Sequence, residues 1–361
     1  MVNNAIYFWK FLYSFIIVYF HFFHQTNEHF LSGRYGVDFY LLVAGLFLFA
    51  KYEKQLCNDG RSLEKPYSFL IKRFARFFPW AFAGFIFAAI VCRGFINPVA
   101  SFGKLMDHFS GDIWEILLIK MNGLNNNKSL LNGPAWTLSS MLIAQFFIWS
   151  CLYYYKEKFT NLVMPLTVIV GLGIWRFLDH TAVKNWIGFT TFGTFRAWIV
   201  ICLGYYSLKY SQKLMRIRFN TLGKTLLTIV ELLCHVFAIW VIMNRDSRNY
   251  QWCCILAFMI ATSIELSGNS LMNDFLNRSS FVTFLGKLSM CIYLAHETVL
   301  KLWRYFYPEP DVLYSHVLSF TAAVIIVSVL MYYAVTYGIK LYRILSKKIV
   351  ILLTNEEALT Q

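Results

Sequence analysis

The chain has 361 residues, of which 58% are hydrophobic and 19% aromatic, whereas only 14% are charged. A soluble globular domain is about 45–50% apolar and about 25% charged, so this composition excludes an ordinary soluble domain. The formal net charge of +14 is typical of basic cytoplasmic loops in a membrane protein, and we expect no nucleic-acid partner.

Ten apolar segments are predicted to cross the membrane, because each is close to the roughly twenty residues that a spanning helix needs. They predict an all-α polytopic membrane protein of the plasma membrane. With a cytoplasmic amino terminus, more than half of the Lys and Arg residues lie on the inner side, so both termini are predicted to be cytoplasmic. Residues 1–345 should form one transmembrane domain, and 346–361 a short cytoplasmic tail. The ten segments are 5–24, 36–50, 77–95, 134–155, 161–178, 194–208, 225–243, 251–268, 281–300 and 315–339.

The first segment carries Lys10, His21 and His24 inside an apolar run. It should remain a spanning helix, because Lys10 lies within the run and no signal-peptidase site follows it. At 100° per residue, Lys10 and His21 fall within about 20° of each other and about 16 Å apart along the axis. Such a polar stripe should face the bundle interior or a wet cavity rather than lipid. Its other members are Asn3, Tyr7, Ser14, His24 and Gln25.

His21 is a candidate catalytic residue, because an imidazole can take a proton from a hydroxyl and return it to a leaving group. A purely structural role remains open, and His24 could simply extend to the membrane interface. Asp38, near the outer end of the second segment, could orient His21. It could equally cap its own helix or pair with Arg34.

The third segment begins on the inner side with a basic cluster, Lys72, Arg73 and Arg76. These residues could be ordinary anchors of the positive-inside kind. A basic cluster at a helix start is also a suitable phosphate site, because backbone N–H groups and guanidinium groups both bind phosphate oxygens.

The outer side offers two further features. Residues 122–133 form a polar stretch, which is either a solvated loop or the entrance for a polar acceptor. In the ninth segment, His296 and Glu297 are predicted to lie towards the outside, at a depth comparable to that of His21. No nucleotide-binding or hydrolase motif and no metal-ligand spacing is found in the sequence, so we expect no metal.

Five landmarks in order make the chain resemble the acyltransferase 3 family, bacterial membrane-bound O-acyltransferases that modify surface sugars. The Arg-x10-His pattern of that family is similar to Lys10 and His21. Its GVDLFFVLSGF element resembles residues 36–46, with Ala44 where serine is usual. Its RRxxRIxP element is similar to residues 72–79.

The two remaining landmarks lie further along the chain. PLWSLSVE resembles residues 134–141, keeping Trp136 and Ser139 but placing Met141 where many members have glutamate. LGxxSYxxYLxH is similar to residues 285–296, ending at His296.

The resemblance implies that an acyl-CoA, used as a donor substrate rather than a tightly bound cofactor, binds on the cytoplasmic side. Its phosphates would rest on Arg73 and Arg76, helped by Lys72, and its arm would pass Lys10 and Ser14. His21 would act as general base or carry the acyl group, and Asp38 would orient it. The acceptor would be a glycan or glycolipid hydroxyl on the outer side, and a homo-oligomer stays open. Residues implied at the acceptor are Arg34, His24, Trp136, Ser139 and His296.

A second hypothesis is a transporter or flippase of a polar lipid or small solute, which a polar stripe through a bundle would serve equally well. Inverted repeats and helices broken by Gly or Pro are typical of transporters. Neither feature is evident in the sequence.

Overall fold

A computed structural model describes residues 3–23, 31–57, 63–98, 112–122, 131–178, 183, 185–187, 190–245, 248–309 and 315–359. This part of the chain is a helical bundle with one antiparallel pair of two-residue strands, β1 (Trp186–Ile187) and β2 (Thr190–Thr191). The helices are α1 (Asn4–Phe23), α2 (Arg34–Cys57), α3 (Pro66–Ala89), α4 (Ala135–Lys158), α5 (Met164–Phe177), α6 (Phe192–Met215), α7 (Thr221–Asn244), α8 (Arg248–Ser267), α9 (Leu271–Leu276), α10 (Ser280–Phe306) and α11 (Val317–Leu359). Shorter helical pieces are Ile90–Ile96, Lys120–Asn122 and Phe159–Val163.

The predicted all-α membrane fold is confirmed, and each of the ten predicted segments overlaps one of these helices. Seven helical stretches of the described chain are long and apolar enough to cross a membrane. One of the seven, 135–177, contains both α4 and α5, whereas the more polar α6 and α10 are not among them. Ten crossings and two cytoplasmic termini therefore stay predictions.

Local sequence explains where several helices begin. Pro66 opens α3, at a position where its missing N–H is not needed. The side chains of Asn220, Ser270 and Ser279 accept hydrogen bonds from backbone N–H groups in the first turns of α7, α9 and α10. These caps satisfy donors that a helix start otherwise leaves unpaired.

The chain reverses between α4 and α5. Ser140, near the start of α4, and Gly171, near the end of α5, both pack against the first two turns of α6. A straight helix would hold residues 140 and 171 about 46 Å apart, too far for both contacts. The reversal occurs at Lys156, whose φ of 47° and ψ of −120° are non-helical.

Two close helix contacts fix the centre of the bundle. A Cβ built on Gly45 of α2 would lie 2.1 Å from the Ile201 carbonyl oxygen of α6, so only glycine permits this approach. α1 packs along α10 in the same direction, since Tyr7 lies against Gly286 and His21 lies against His296.

The opposite face of α1 is held by a buried polar network. Tyr13 Oη lies 2.9 Å from His235 Nδ1 of α7, and His235 Nε2 lies 2.6 Å from Glu265 Oε1 of α8. Trp9 stacks on the His235 ring with their centroids 3.6 Å apart. The network joins three helices, so α1 is fixed on both sides.

Lys156→Gly is expected to stabilise the protein by about 1 kcal/mol, because glycine adopts a positive φ without the strain that a side chain causes. Thermal unfolding of the purified protein measures the change as a higher melting temperature. Lys158→Gly is the matched control, because Lys158 has helical angles (φ −61°, ψ −37°) and glycine there should lower stability. A lower melting temperature for Lys156→Gly would contradict the reversal.

Candidate active site

The structure brings together two histidines that the sequence places 275 residues apart. The His21 and His296 ring centroids lie 5.1 Å apart, inclined by 40°. His296 is fully buried, whereas His21 is half-buried. The two imidazole rings, one from α1 and one from α10, are therefore direct neighbours.

Hydrogen bonding fixes the protonation pattern of the His296 ring. Its Nδ1 lies 2.7 Å from the Tyr293 carbonyl oxygen. A carbonyl oxygen can only accept, so in this bond Nδ1 carries the proton and Nε2 carries the lone pair. Nε2 is buried and has no hydrogen-bond partner among the described residues. His296 thus presents an unused proton acceptor beside His21.

Side chains that carry hydroxyl groups lie next to this pair. The Tyr293 and Thr137 hydroxyl oxygens lie 2.6 Å apart, which links α10 to α4. Tyr40 of α2 donates to the Lys10 carbonyl oxygen, and its ring centroid lies 6.0 Å from that of Tyr293. Four helices therefore contribute to one polar interior.

The predicted stripe on α1 lies largely along α10. A Cβ on Gly286 would fall 2.3 Å from the Tyr7 Cβ atom, so glycine lets the two helices touch. Ser14 is buried and donates to the Phe11 carbonyl oxygen of its own helix at 2.6 Å. Lys10 is half-buried, and its Nζ lies 5.5 Å from the Tyr7 ring centroid. No described carboxylate forms an ion pair with Lys10.

One wall of the site is built from the segment before α4. The N–H groups of Leu131 and Asn132 each donate to a Glu115 carboxylate oxygen at 2.8 Å. Gly133 packs directly against Glu297, the neighbour of His296. Burial raises the pKa of Glu115 to about 7, against the lowering effect of the two backbone hydrogen bonds.

Asp38 does not orient His21, and this interpretation of the sequence is corrected. Its Oδ1 accepts from Arg196 Nε at 2.8 Å, and its Oδ2 accepts from Gln251 Nε2 at 2.6 Å. Asp38 therefore faces α6 and α8, on the side of α2 away from Tyr40. It pairs with Arg196 rather than Arg34, whose carbonyl oxygen also accepts from Arg196.

The basic cluster on α3 divides into two parts. Lys72 is 2.6 Å from Glu64, which also binds Lys51 at 2.6 Å. Burial alone would raise the pKa of Glu64, but hydrogen bonds from Lys51 and Lys72 outweigh it and lower that pKa to about 2. Lys72 is thus already partnered in this structure.

Arg73 and Arg76 are not paired with any carboxylate in the described chain. Arg73 Nε donates to Gln145 Oε1 at 2.7 Å, and its guanidinium lies 5.0 Å from the Phe77 ring centroid. Its terminal NH₂ groups make no hydrogen bond to described residues, and Arg76 is exposed and repels it electrostatically. Two neighbouring uncompensated cations attract an anion.

The remaining predicted residues are scattered around α4 and α2. Trp136 is half-buried in the first turn of α4. Ser139 is buried and accepts from the Met121 backbone N–H at 3.0 Å, which is a structural contact. Arg34 is exposed, and its guanidinium lies 5.5 Å from the Tyr35 ring centroid. His24 lies outside the described residues.

Several residues that contact the predicted site residues were not identified from the sequence. Arg196 is an arginine inside a predicted span, and that position alone marks it as a candidate. Tyr293 stands one helical turn before His296, so it shares the same helix face. Gln145 and Tyr40 gave no signal, because amides and phenols are common in apolar helices. Met141 is buried in the apolar core, and the Ala44 carbonyl oxygen accepts from Gln145 at 3.4 Å.

The fold and the site together define a polytopic helical membrane protein in which two histidines from separate helices lie side by side. The chain belongs to the acyltransferase 3 family: the family model, described as an acyltransferase domain, matches residues 3–333. It is therefore a membrane acyltransferase. No curated protein and no solved structure gave a match to the chain. No group of three or more potential metal-ligating side chains is found among the described residues.

Arg196→Met is expected to destabilise the protein by about 3–5 kcal/mol, because it leaves the buried Asp38 carboxylate without its cation. Thermal unfolding in detergent measures the loss. The double variant Arg196→Met with Asp38→Leu should recover part of it, since neither charge then remains. Arg176→Met, at an exposed position, is the control. Equal effects of Arg176→Met and Arg196→Met would show that the Asp38 pair does not stabilise the fold.

Glu115→Gln is expected to change how stability depends on pH. Because burial raises the pKa of Glu115 to about 7 in the folded chain, above its ordinary value of about 4.5, the protonated form stabilises the fold at low pH. That stabilisation is lost as the pH rises from about 4.5 through 7. Melting temperatures between pH 4 and 8 should fall less steeply with pH for Glu115→Gln than for the natural chain. Glu157→Gln, at an exposed site, is the matched control. If Glu115→Gln keeps the slope of the natural chain, Glu115 does not titrate as described.

Proposed function

We propose that this protein transfers an acyl group, most simply acetyl from acetyl-CoA, to a hydroxyl of a cell-surface or extracellular polysaccharide or its lipid-linked precursor. The family supplies the reaction class, a membrane acyltransferase. The observation that carries the proposal is the His21–His296 pair, with the unpartnered Nε2 of His296. A bacterial plasma membrane is the proposed location.

The donor is proposed to enter from the cytoplasmic side. Arg73 and Arg76 would bind the phosphates of CoA, since both lack a carboxylate partner in the described chain. Lys72 would join them only by leaving Glu64, at 2.6 Å. The thioester arm would then extend past Lys10 and Ser14 along the α1–α10 contact, towards His21.

The proposed chemistry needs one proton carrier. An imidazole nitrogen of the pair takes the proton of the acceptor hydroxyl while its oxygen attacks the thioester carbonyl. The new C–O bond forms, the C–S bond breaks, and the proton passes to the departing thiolate sulfur. In the alternative mechanism, His21 first receives the acyl group and then passes it to the acceptor hydroxyl, so the overall bonds formed and broken are the same.

Replacing either histidine is expected to remove most of the activity. His21→Ala and His296→Ala should each lower the rate of acyl transfer by about 10²–10⁴-fold, which is the usual contribution of a general acid–base group to the rate. Mass spectrometry of surface glycans from matched cells measures ester content, and immunoblotting of membranes verifies the amount of protein. His316→Ala, whose ring stacks on Tyr307 at 4.1 Å, is the control. Normal ester content in the His21→Ala strain would refute the catalytic role.

A donor-binding measurement separates this proposal from transport. Purified protein should bind acetyl-CoA, and Arg73→Gln with Arg76→Gln should weaken that binding. The absence of binding at millimolar acetyl-CoA would favour a transporter or flippase. If labelled acetyl from acetyl-CoA becomes covalently attached to the natural chain but not to the His21→Ala variant, then His21 carries the acyl group during transfer.

A further inference from the structure

An open groove lies between α3 and α11. The two helices meet where the Trp80 and Tyr332 rings stack, with centroids 5.9 Å apart and planes inclined by 23°. Beyond that contact the helices diverge and leave a volume of about 390 Å³. The groove is lined by Trp80, Thr336, Ile339, Lys340, Arg343 and Ile344.

The lining of the groove follows from helical periodicity. Tyr332, Thr336, Ile339 and Arg343 are spaced by three or four residues, so they form one stripe on the α3-facing side of α11. Helical side chains point towards the helix amino terminus. The Arg343 side chain therefore leans towards Thr336 and the groove.

The groove carries positive charge that no described carboxylate neutralises. Lys340 and Arg343 are exposed, and neither forms an ion pair with a described carboxylate. Some other basic residues on the same predicted side do have such a partner: Lys209 lies 2.5 Å from Glu53, and Lys224 lies 2.9 Å from Asp274. An external anion is the remaining partner for the two free cations.

The predicted position of the groove relative to the membrane indicates which kind of anion it would bind. The predicted spans of α3 and α11 reach the inner surface at residues 77 and 339, so both place the groove at headgroup level. Large apolar residues are exposed just above it, including Phe82 of α3 and Leu330 of α11. A tryptophan beside basic residues is typical of the membrane interface, and the cytoplasmic leaflet is rich in anionic lipids.

We propose that this groove binds the phosphate of an anionic phospholipid of the inner leaflet. Lys340 and Arg343 donate to the phosphate oxygens, with the Thr336 hydroxyl as a third donor. Trp80 lies against the glycerol region, and an acyl chain follows the exposed apolar faces of α3 and α11. This lipid is a bound partner and is not consumed, so the inference goes beyond the proposed function.

Lipid binding to the detergent-solubilised full chain tests the proposal. Native mass spectrometry should show tighter binding of phosphatidylglycerol than of phosphatidylcholine. Lys340→Gln with Arg343→Gln should weaken phosphatidylglycerol binding about thirtyfold, as expected for losing two cations near a lipid headgroup. Lys213→Gln with Arg218→Gln removes the same charge from exposed positions at the inner end of α6 and should change little. Equal loss in both double variants, or equal binding of the two lipids, would overturn the proposal.

Two further measurements distinguish a lipid phosphate from other sources of phosphate. Inorganic phosphate at the same concentration should not displace phosphatidylglycerol, because it lacks the acyl chains. Acetyl-CoA binding should be unchanged in Lys340→Gln with Arg343→Gln. If acetyl-CoA binding falls there while phosphatidylglycerol binding persists, the groove holds the donor's phosphate and the lipid proposal fails. These measurements involve no acyl transfer, so they stand or fall separately from the proposed function.

Discussion

The parallel packing of α1 on α10 is the contact on which the site depends. An imidazole inside a membrane is tolerated only where protein or water surrounds it, and each helix supplies that surrounding for the histidine of the other. Gly286 permits the contact near the start of α10, and the two rings lie 5.1 Å apart further along the same helix. The network of Trp9, Tyr13 and His235 holds the opposite face of α1. Because of it, α1 cannot move away from α10 without disturbing α7 and α8.

Charged groups have different surroundings in different parts of the described bundle. Asp38 and Arg196 form a buried ion pair, and Gln251 donates a further hydrogen bond to Asp38. Near the start of α3 and in the second half of α11, in contrast, arginines and a lysine have no carboxylate partner within the described chain. Buried compensation stabilises helix packing, whereas exposed uncompensated cations remain able to bind phosphate.

The histidine pair illustrates how far sequence reasoning extends into the site. The spacing of Lys10 and His21 identified one helix face, and predicted depth placed His296 at a comparable level. Depth does not determine direction around a helix axis, and for that reason Asp38 was wrongly assigned to His21. The Asp38 side chain projects from α2 towards α6, about 200° around the helix from Tyr40, which does face the polar interior.

The sequence by itself determined the all-α membrane class, the positions of the helices and the residues on each helix face, because these depend on apolar run length and on a fixed angle per residue. It also carried the ordered landmarks of the acyltransferase 3 family, which the match over residues 3–333 confirmed. Only the tertiary structure decided which faces meet: His21 with His296, Asp38 with Arg196, and Arg73 with Gln145. In each case the partner lies more than seventy residues away, and its position is set by helix packing rather than by any local pattern.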